Sequence, residues 1–531
     1  MVSSETTNNV ADELDTLLLR LQKLVVDYVK EGQNADNAVV RYYSPEDLYK
    51  RIDLALPDSG AGVDGKGLNH LDYDRLTRLN IVETFDLIKD TLKYSVNTWN
   101  PRFMDKLYAG TNPIGVVSEL LLAILNSNSH VYHCSPVLSL MEIEVTRATA
   151  QLLNMGKDSG GILCPGGSAS NLLAVVTARN KLYPSIKSKG YMPRPFNADA
   201  DYGVLKLFTS SHSHYSIDQA AQVLGLGLDN VVKVPTDDEG RMLVSELERL
   251  LQESVARGET PFFINATSGT TVMGAFDPLD KIARLAKKYN CWCHADGSWG
   301  GSAVFSDQVT RTKDWFRGSD LVDSFTINPH KLLGVPLQCS MLLTPHNGHV
   351  MFARTNSIKA DYLFHGNAVD LGAATIGCGR RPDALKVFLA WKFYGKQGLG
   401  QRVDRALCSA SEFMDLVRRR RGFILVKDPC PFLQICFWYV PESIKDQVDA
   451  WKSQSDGGAL GKIAVVTRTI QQRINHSGAY LVDHAPLPGV PDFFRIVINA
   501  PTVSVDRDLV GLLDRIESVG NDVNWEKIFE Q

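Results

Sequence analysis

The 531-residue chain lacks most features that would announce a special environment. No apolar run approaches the roughly 20 residues needed to cross a bilayer, so no membrane association is expected. The opening MVSSETTNNVADELD has no basic stretch ahead of its apolar residues and does not read as a secretory signal. Nine cysteines are present, but none forms a CxxC pair, which argues against a disulfide framework and for reduced thiols in a cytoplasmic protein. Charge of one sign is missing too: 56 basic and 60 acidic residues leave a formal net charge of −4, which supplies no field for nucleic acid or an anionic surface. The one basic run, Arg418 to Arg421, reads as a solvated helix end. Repeats and long low-complexity tracts are absent.

What is present is a chain long enough for two or three domains, with an ordinary 44% hydrophobic share. Leu14, Leu17, Leu18, Leu21, Leu24, Val25 and Tyr28 recur at spacings of three and four, predicting an amphipathic helix from Ala11 to Lys30. Ser44-Pro45 opens a second helix through Leu54, and a third is predicted from Asp72 to Tyr94. These helices have no evident core of their own, so they read as an arm packed on something else. From about Gly160 to Pro345, short β-branched and aromatic runs (Val204 to Phe208, Val231 to Val234, Phe262 to Ile264, Cys291 to His294, Ser324 to Ile327, Ser340 to Leu343) alternate with helical stretches. That alternation predicts an α/β domain with a mostly parallel sheet, whose ligands belong at the carboxyl ends of the strands. Strand-like runs at Gln434 to Val440 and Phe493 to Ile498 and a helix from Ser504 to Val519 predict a smaller C-terminal α/β domain.

The polar motifs lie at those strand ends. Ser324-Phe-Thr-Ile-Asn-Pro-His-Lys331 is an apolar strand closing on a turn that presents a lysine, and a partly dry lysine can form an imine with an aldehyde. Asp296, 35 residues earlier, ends another strand and can serve a pyridine nitrogen. His294 shares a strand face with Asp296, which leaves metal ligation as the alternative. Pro165-Gly-Gly-Ser-Ala-Ser-Asn171 links a strand to a helix, where small residues and a helix N-terminus suit a phosphate. It lacks both the Walker lysine and the GxGxxG spacing, so nucleoside triphosphates and dinucleotides are disfavoured. In Ser211-His-Ser-His-Tyr-Ser216 an imidazole is placed to lie on a cofactor ring, or else to be a buried structural histidine.

Together with Ala266-Thr-Ser-Gly-Thr-Thr271, Pro101-Arg-Phe103, Ala275-Phe-Asp-Pro278, Leu337-Gln-Cys-Ser340, Tyr362-Leu-Phe364, Cys378-Gly-Arg380 and Phe493-Phe-Arg495, these motifs resemble the group II pyridoxal phosphate-dependent decarboxylases, in the same order from about residue 95 to 500. Within that group the likeness is to the glutamate, cysteine sulfinate and aspartate enzymes. The resemblance implies fold type I (aspartate aminotransferase-like) with a seven-stranded sheet, divided into an N-terminal helical arm at 1–95 exchanged across a homodimer, a large cofactor domain at 96–395 and a small domain at 396–531. It implies pyridoxal 5′-phosphate as cofactor and no metal. Lys331 would carry the cofactor as a Schiff base, Asp296 would face its ring nitrogen and His214 would stack on the ring. Gly167, Ser168 and Ala169 would hold the phosphate, with Thr271, Ser298 and Asn328 close by and His330 beside the imine. Tyr362 would return a proton to Cα.

For the substrate, the resemblance assigns Arg495 to the α-carboxylate and Lys106, Tyr108 and Asn128 to the side-chain pocket. Tyr108 is bulky where glutamate enzymes carry serine and cysteine sulfinate enzymes phenylalanine, which shortens the pocket. Asn128 matches the glutamate enzymes. A short acidic substrate, aspartate or cysteine sulfinate, is therefore expected ahead of glutamate or an aromatic amino acid. Gly297 and Ser298 depart from the two alanines usual in the family. The reading from a different class is a non-catalytic decarboxylase-like binding protein.

Overall fold

The computed structural model describes residues 10–52, 54, 73–194, 196–197, 200–358, 369–445 and 457–529. Seven strands form the main sheet: β1 (Gly160–Cys164), β2 (Leu205–Ser210), β3 (Val231–Val234), β4 (Thr260–Thr267), β5 (Trp292–Gly297), β6 (Ser324–Ile327) and β7 (Ser340–Thr344). Their order is β1-β7-β6-β5-β4-β2-β3, parallel throughout except for β7, which runs antiparallel to both neighbours. Nearly every strand residue is buried, because helices cover both faces of such a sheet; this is why the strands read as continuous apolar runs. Asp296 stands near the carboxyl end of β5, and Asn328 just beyond that of β6.

The chain forms two compact units. One holds Lys106–Trp438 and Phe493–Pro501, and so contains the main sheet. Its helices include α4 (Pro113–Leu125), α5 (Pro136–Leu152) and α6 (Gly167–Leu182), which follow α1 (Val10–Gln33), α2 (Pro45–Tyr49) and α3 (Tyr73–Tyr94) in the other unit. Strands β8 (Phe423–Leu425), β9 (Gln434–Tyr439), β10 (Asp483–Leu487) and β11 (Val490–Val497) form a second sheet in the order β10-β11-β9-β8, and within the sheet unit Arg495 stands opposite Cys436 and Val497 opposite Gln434.

The other unit joins the described residues up to Asp105 with Tyr439–Asp492 and Thr502 onward. Backbone bonds tie its parts: Val39 N–H to Gly478 O at 2.8 Å, Met104 N–H to Leu481 O at 2.9 Å and Leu481 N–H to Arg102 O at 3.1 Å. The segments flanking the early helices thus find their partners about 380 to 440 positions later. Ser44 caps α2 by accepting the Asp47 N–H, as expected, but the helix ends at Tyr49 rather than Leu54. Arg51 and Ile52 both donate to the Leu48 carbonyl, closing the segment as a tight turn.

Candidate active site

The carboxyl end of β5 delivers Asp296 into a dense polar network. Its Oδ2 accepts from Asn171 Nδ2 at 2.8 Å and its Oδ1 from the Ser298 N–H at 3.0 Å. Asn171, on the second turn of α6, donates also to Ser216 Oγ at 2.9 Å, and its Oδ1 receives His294 Nε2 at 3.0 Å and Thr326 Oγ1 at 3.2 Å. The other ring nitrogen of His294 meets Ser324 Oγ at 2.8 Å, and Trp292 Nε1 donates to that same oxygen at 2.8 Å. With both ring nitrogens engaged inside the protein, His294 is a structural histidine; among the described residues, no group of three potential ligands gathers to hold a metal ion. Burial pushes the His294 imidazole down to about 4, so it is neutral. Burial acts on Asp296 in the opposite sense, yet Ser298, His214 and His294 outweigh it and hold the carboxyl below its ordinary value. Asp296 is a buried, permanent anion.

Lys331 follows β6 across the turn Asn328-Pro-His. Desolvation, opposed by the charge of Asp296, lowers its amine below the ordinary lysine value, the condition for a nucleophilic amine at neutral pH. His214 senses both groups: burial lowers it, Asp296 raises it and Lys331 lowers it. The Ser216 N–H donates to its Nδ1 at 3.3 Å, leaving the proton on Nε2. His330 is pinned by the Cys339 N–H, which donates to its Nδ1 at 3.0 Å, and burial pushes it down to about 4. Lys331, Asp296, His214 and His330 therefore form one cluster, as the sequence predicts.

A cradle lies beside it. Ser170 and Ser340 hydroxyls meet at 2.7 Å and Ser340 donates to Asn328 Oδ1 at 2.6 Å, which turns the Asn328 Nδ2 toward Gly167. A Cβ on Gly167 would come within 2.6 Å of Ser298 Oγ and 2.8 Å of Asn328 Nδ2, so glycine keeps this space open. Gly167, Ser168 and Ala169 occupy the first turn of α6, where helix N–H groups lack helical acceptors. Ser213 Oγ, Thr267 Oγ1 and Ser298 Oγ, near the ends of β2, β4 and β5, are buried with no partner in hydrogen-bond geometry. An open helix start with the Ser298 hydroxyl and the Asn328 amide beside Gly167, in the same unit as a depressed lysine and an ionised aspartate, fits a phosphorylated pyridine aldehyde.

The remaining predicted residues distribute unevenly. Arg495 donates from Nη1 to the Thr271 carbonyl at 3.2 Å, which joins those two predicted residues directly. Gln434 shares the duty: oriented by Trp299 Nε1 at 3.0 Å, its Nε2 donates to the Thr270 and Thr271 carbonyls at 3.0 and 3.1 Å. Tyr108 is half-buried and Lys106 exposed, flanking the buried Leu107. Asn499 staples Leu107 O at 2.8 Å and reaches Lys331 O at 3.4 Å, binding that pocket segment to the lysine turn. Asn128 turns elsewhere, its Oδ1 accepting the Arg380 N–H at 2.9 Å. Tyr362 lies outside the described residues. Asn171, Asn499 and Gln434 had no assigned role in the sequence; the only available signal was a buried-type amide at the edge of an apolar run.

The departure at Gly297 has a visible cause. A Cβ there would sit 2.2 Å from the ring of Phe325, which is fully buried, and 2.9 Å from Thr326 O. Gly297→Ala is therefore expected to destabilise the protein by about 1–3 kcal/mol, the usual cost of overpacking, measured by denaturant unfolding, and Phe325→Leu in the same chain to recover part of the loss.

The comparisons agree with this chemistry. Residues 78–440 match the model described as the pyridoxal-dependent decarboxylase conserved domain. An L-aspartate decarboxylase of Metarhizium robertsii is 39% identical across 97% of this chain and 98% of its own. Human cysteine sulfinic acid decarboxylase is 35% identical across 98% of this chain and 100% of its own, and a Drosophila melanogaster glutamate decarboxylase 35% across 98% and 95%. A crystal structure of mouse CSAD superposes with a TM-score of 0.85 at 33% identity, covering 97% of this chain and all of that one. These matches, each over most of the chain, place the protein in the pyridoxal-dependent decarboxylase family, as a pyridoxal phosphate-dependent carboxy-lyase.

Proposed function

We propose that the enzyme removes the α-carboxylate of a short acidic L-amino acid, aspartate or cysteine sulfinate, acting as a homodimer in the cytoplasm. The observation that carries the catalytic part is a desolvated Lys331 amine that feels the charge of an ionised Asp296. Lys331 would hold the cofactor by its aldehyde, its desolvated amine being the nucleophile the site offers. Asp296 keeps a proton on the ring nitrogen. His214 would lie against the ring, and Gly167, Ser168, Ala169, Ser298 and Asn328 would hold the phosphate, with Thr271 and His330 near the lysine. When bound, pyridoxal phosphate supplies the aldehyde and a charged ring that receives the electron pair left as CO₂ departs. Arg495, anchored on Thr271 O, orients the α-carboxylate through a planar fork. Tyr362 returns the proton to Cα.

The choice of substrate rests on the segment stapled to the lysine turn by Asn499. Tyr108 fills part of the pocket with a ring, and Lys106 adds a cation at its edge. Asn128, the feature shared with glutamate enzymes, is engaged by the Arg380 backbone, so it carries no preference for a longer side chain. Relatives named for aspartate and cysteine sulfinic acid support the same reading. In a panel of aspartate, cysteine sulfinate, glutamate and an aromatic amino acid, CO₂ release is expected to be at least about tenfold more efficient for one of the first two, the worth of a misfit methylene. Tyr108→Ser is expected to shift the ratio toward glutamate. Glutamate as the best substrate of the unaltered enzyme would overturn the assignment.

The dimer reading rests on α4, which exposes Val116, Val117, Leu120, Leu121, Ile124 and Leu125 along a 13-residue helix. An apolar face of this kind marks a contact surface, and a second copy covering it isologously is the simplest occupant. Leu121→Glu with Ile124→Glu is expected to convert a dimer into a monomer at micromolar concentration in light scattering, with loss of activity. The nine unpaired thiols fit a reducing compartment.

A further inference from the structure

The bonds around Asn171 leave no freedom in where the protons sit, and that fixes the polarity of a chain of buried groups. An ionised carboxylate can only accept, so the Asn171 atom 2.8 Å from Asp296 Oδ2 is its amide nitrogen, and its oxygen faces the other way. That oxygen can only accept, so His294 Nε2 at 3.0 Å and Thr326 Oγ1 at 3.2 Å both donate to it. His294, neutral, then carries its single proton on Nε2 and accepts at Nδ1, so the Ser324 hydroxyl at 2.8 Å is the donor there. The Ser324 oxygen in turn accepts from Trp292 Nε1, an atom that can do nothing but donate, at 2.8 Å. The far end of the chain is thus anchored by a group with one possible role, and the near end by another.

Every link points its donor toward Asp296. Asn171 and His294 are 1% and 0% exposed, and Ser324 and Thr326 are fully buried, so no water competes with this order. In such surroundings aligned hydrogen bonds polarise one another and stabilise the charge at their end. Neither Asn171 nor His294 is among the residues assigned to the cofactor or substrate above, and neither needs to touch a substrate to affect the reaction.

We propose that Asn171 and His294 are positioning residues of the reaction: they form a one-way hydrogen-bond relay, running from Trp292 through Ser324, that keeps the Asp296 carboxylate ionised and aimed at the cofactor's ring nitrogen. The inference rests on the reading of Asp296 given above. Its specific content is direction. Removing the His294 donor leaves Asn171 Oδ1 with Thr326 Oγ1 alone, so the amide is less polarised and its Nδ2 holds Asp296 Oδ2 more weakly. The ring nitrogen then has a weaker partner for its proton.

The deciding measurement uses the holoenzyme loaded with pyridoxal phosphate labelled with ¹⁵N in the ring, following the nitrogen shift from pH 6 to 9. In the unaltered enzyme the pyridinium signal is expected to persist across the range. With Asn171→Ala or His294→Leu the titration midpoint is expected to fall by about two pH units, the scale set by an opposing charge at contact distance, so that the free-pyridine signal appears within the range. His294→Gln, which returns an N–H donor to the same place, is expected to restore the pyridinium signal, whereas a merely structural role would leave the midpoint unmoved in all three. Should the first two variants not accumulate as folded protein, Ser324→Ala decides, since it removes one donor at the remote end and is expected to lower the same midpoint by a smaller amount. A pyridinium signal that persists in the relay variants while Asp296→Asn abolishes it overturns the relay and leaves Asp296 in place. A signal indifferent to Asp296→Asn overturns the reading of Asp296 itself.

Discussion

Replacing Lys331 by alanine is expected to lower CO₂ release at least about 10³-fold, the scale of deleting a group that acts covalently, and to remove the visible band that borohydride otherwise discharges onto this residue. The expectation follows from how differently two lysines of the sheet unit are treated. Lys386 is fully buried, but its side-chain nitrogen is held by Glu119 at 3.0 Å, Asp383 at 2.8 Å and the Gln338 carbonyl at 2.9 Å, which fix it in place. Lys331 has only the more distant field of Asp296 to oppose its desolvation, so its neutral form is accessible. A guanidinium cannot lose its proton in a protein, so Lys331→Arg is expected to be as inactive as the alanine variant while keeping the charge. Mass spectrometry of borohydride-treated enzyme should find the cofactor adduct on the peptide carrying Lys331 and on no peptide of either variant. Undiminished CO₂ release from the alanine variant would refute the assignment.

Why Lys331 and Asp296 were legible in the sequence, and their supports were not, comes down to register. A strand buried on both faces advertises itself as an unbroken apolar run, so the polar residue that ends it stands out. Ser324 to Lys331 and Cys291 to Asp296 both have that form, and the order of motifs then identified the family. What holds Asp296 in place is spread over strands whose pairing no local pattern encodes. His294 reaches Asn171 across 123 positions and Ser324 across 30, and both meetings depend on β5 lying beside β6 with His294 level with Ser324. Read alone, His294 left metal ligation open as a lesser alternative. The helices before residue 95 posed the same difficulty at larger scale, since the residues that pair with Val39 and Met104 are Gly478 and Leu481. Asn128 shows the opposite error: its likeness to one branch of the family was readable, but its bond to the Arg380 backbone was not.

Asp296→Asn is the second large effect expected, a loss in kcat of about 10²–10³-fold, comparable to removing one preorganised electrostatic contact from an active site. The substitution conserves volume, yet two distinct costs arise. One is the charge. A buried carboxyl kept below its ordinary value by Ser298, His214 and His294 against desolvation is a committed anion, and no amide reproduces its pull on a ring proton. The other is hydrogen-bond parity. Both carboxylate oxygens already receive donors, Asn171 Nδ2 on one and the Ser298 N–H on the other, so an amide must set its own NH₂ against one of them and lose about 1–3 kcal/mol of stability. The two costs separate experimentally, because the second is carried by the apoprotein. Chemical unfolding of the apo form should show a modest destabilisation, while steady-state kinetics of the cofactor-saturated enzyme show the far larger fall in kcat with little change in KM. Asp296→Glu, which keeps the charge but misplaces it by one methylene, is expected to be less stable than Asp296→Asn and yet more active. Equal activities in those two variants would mean that geometry, not charge, is what this aspartate contributes.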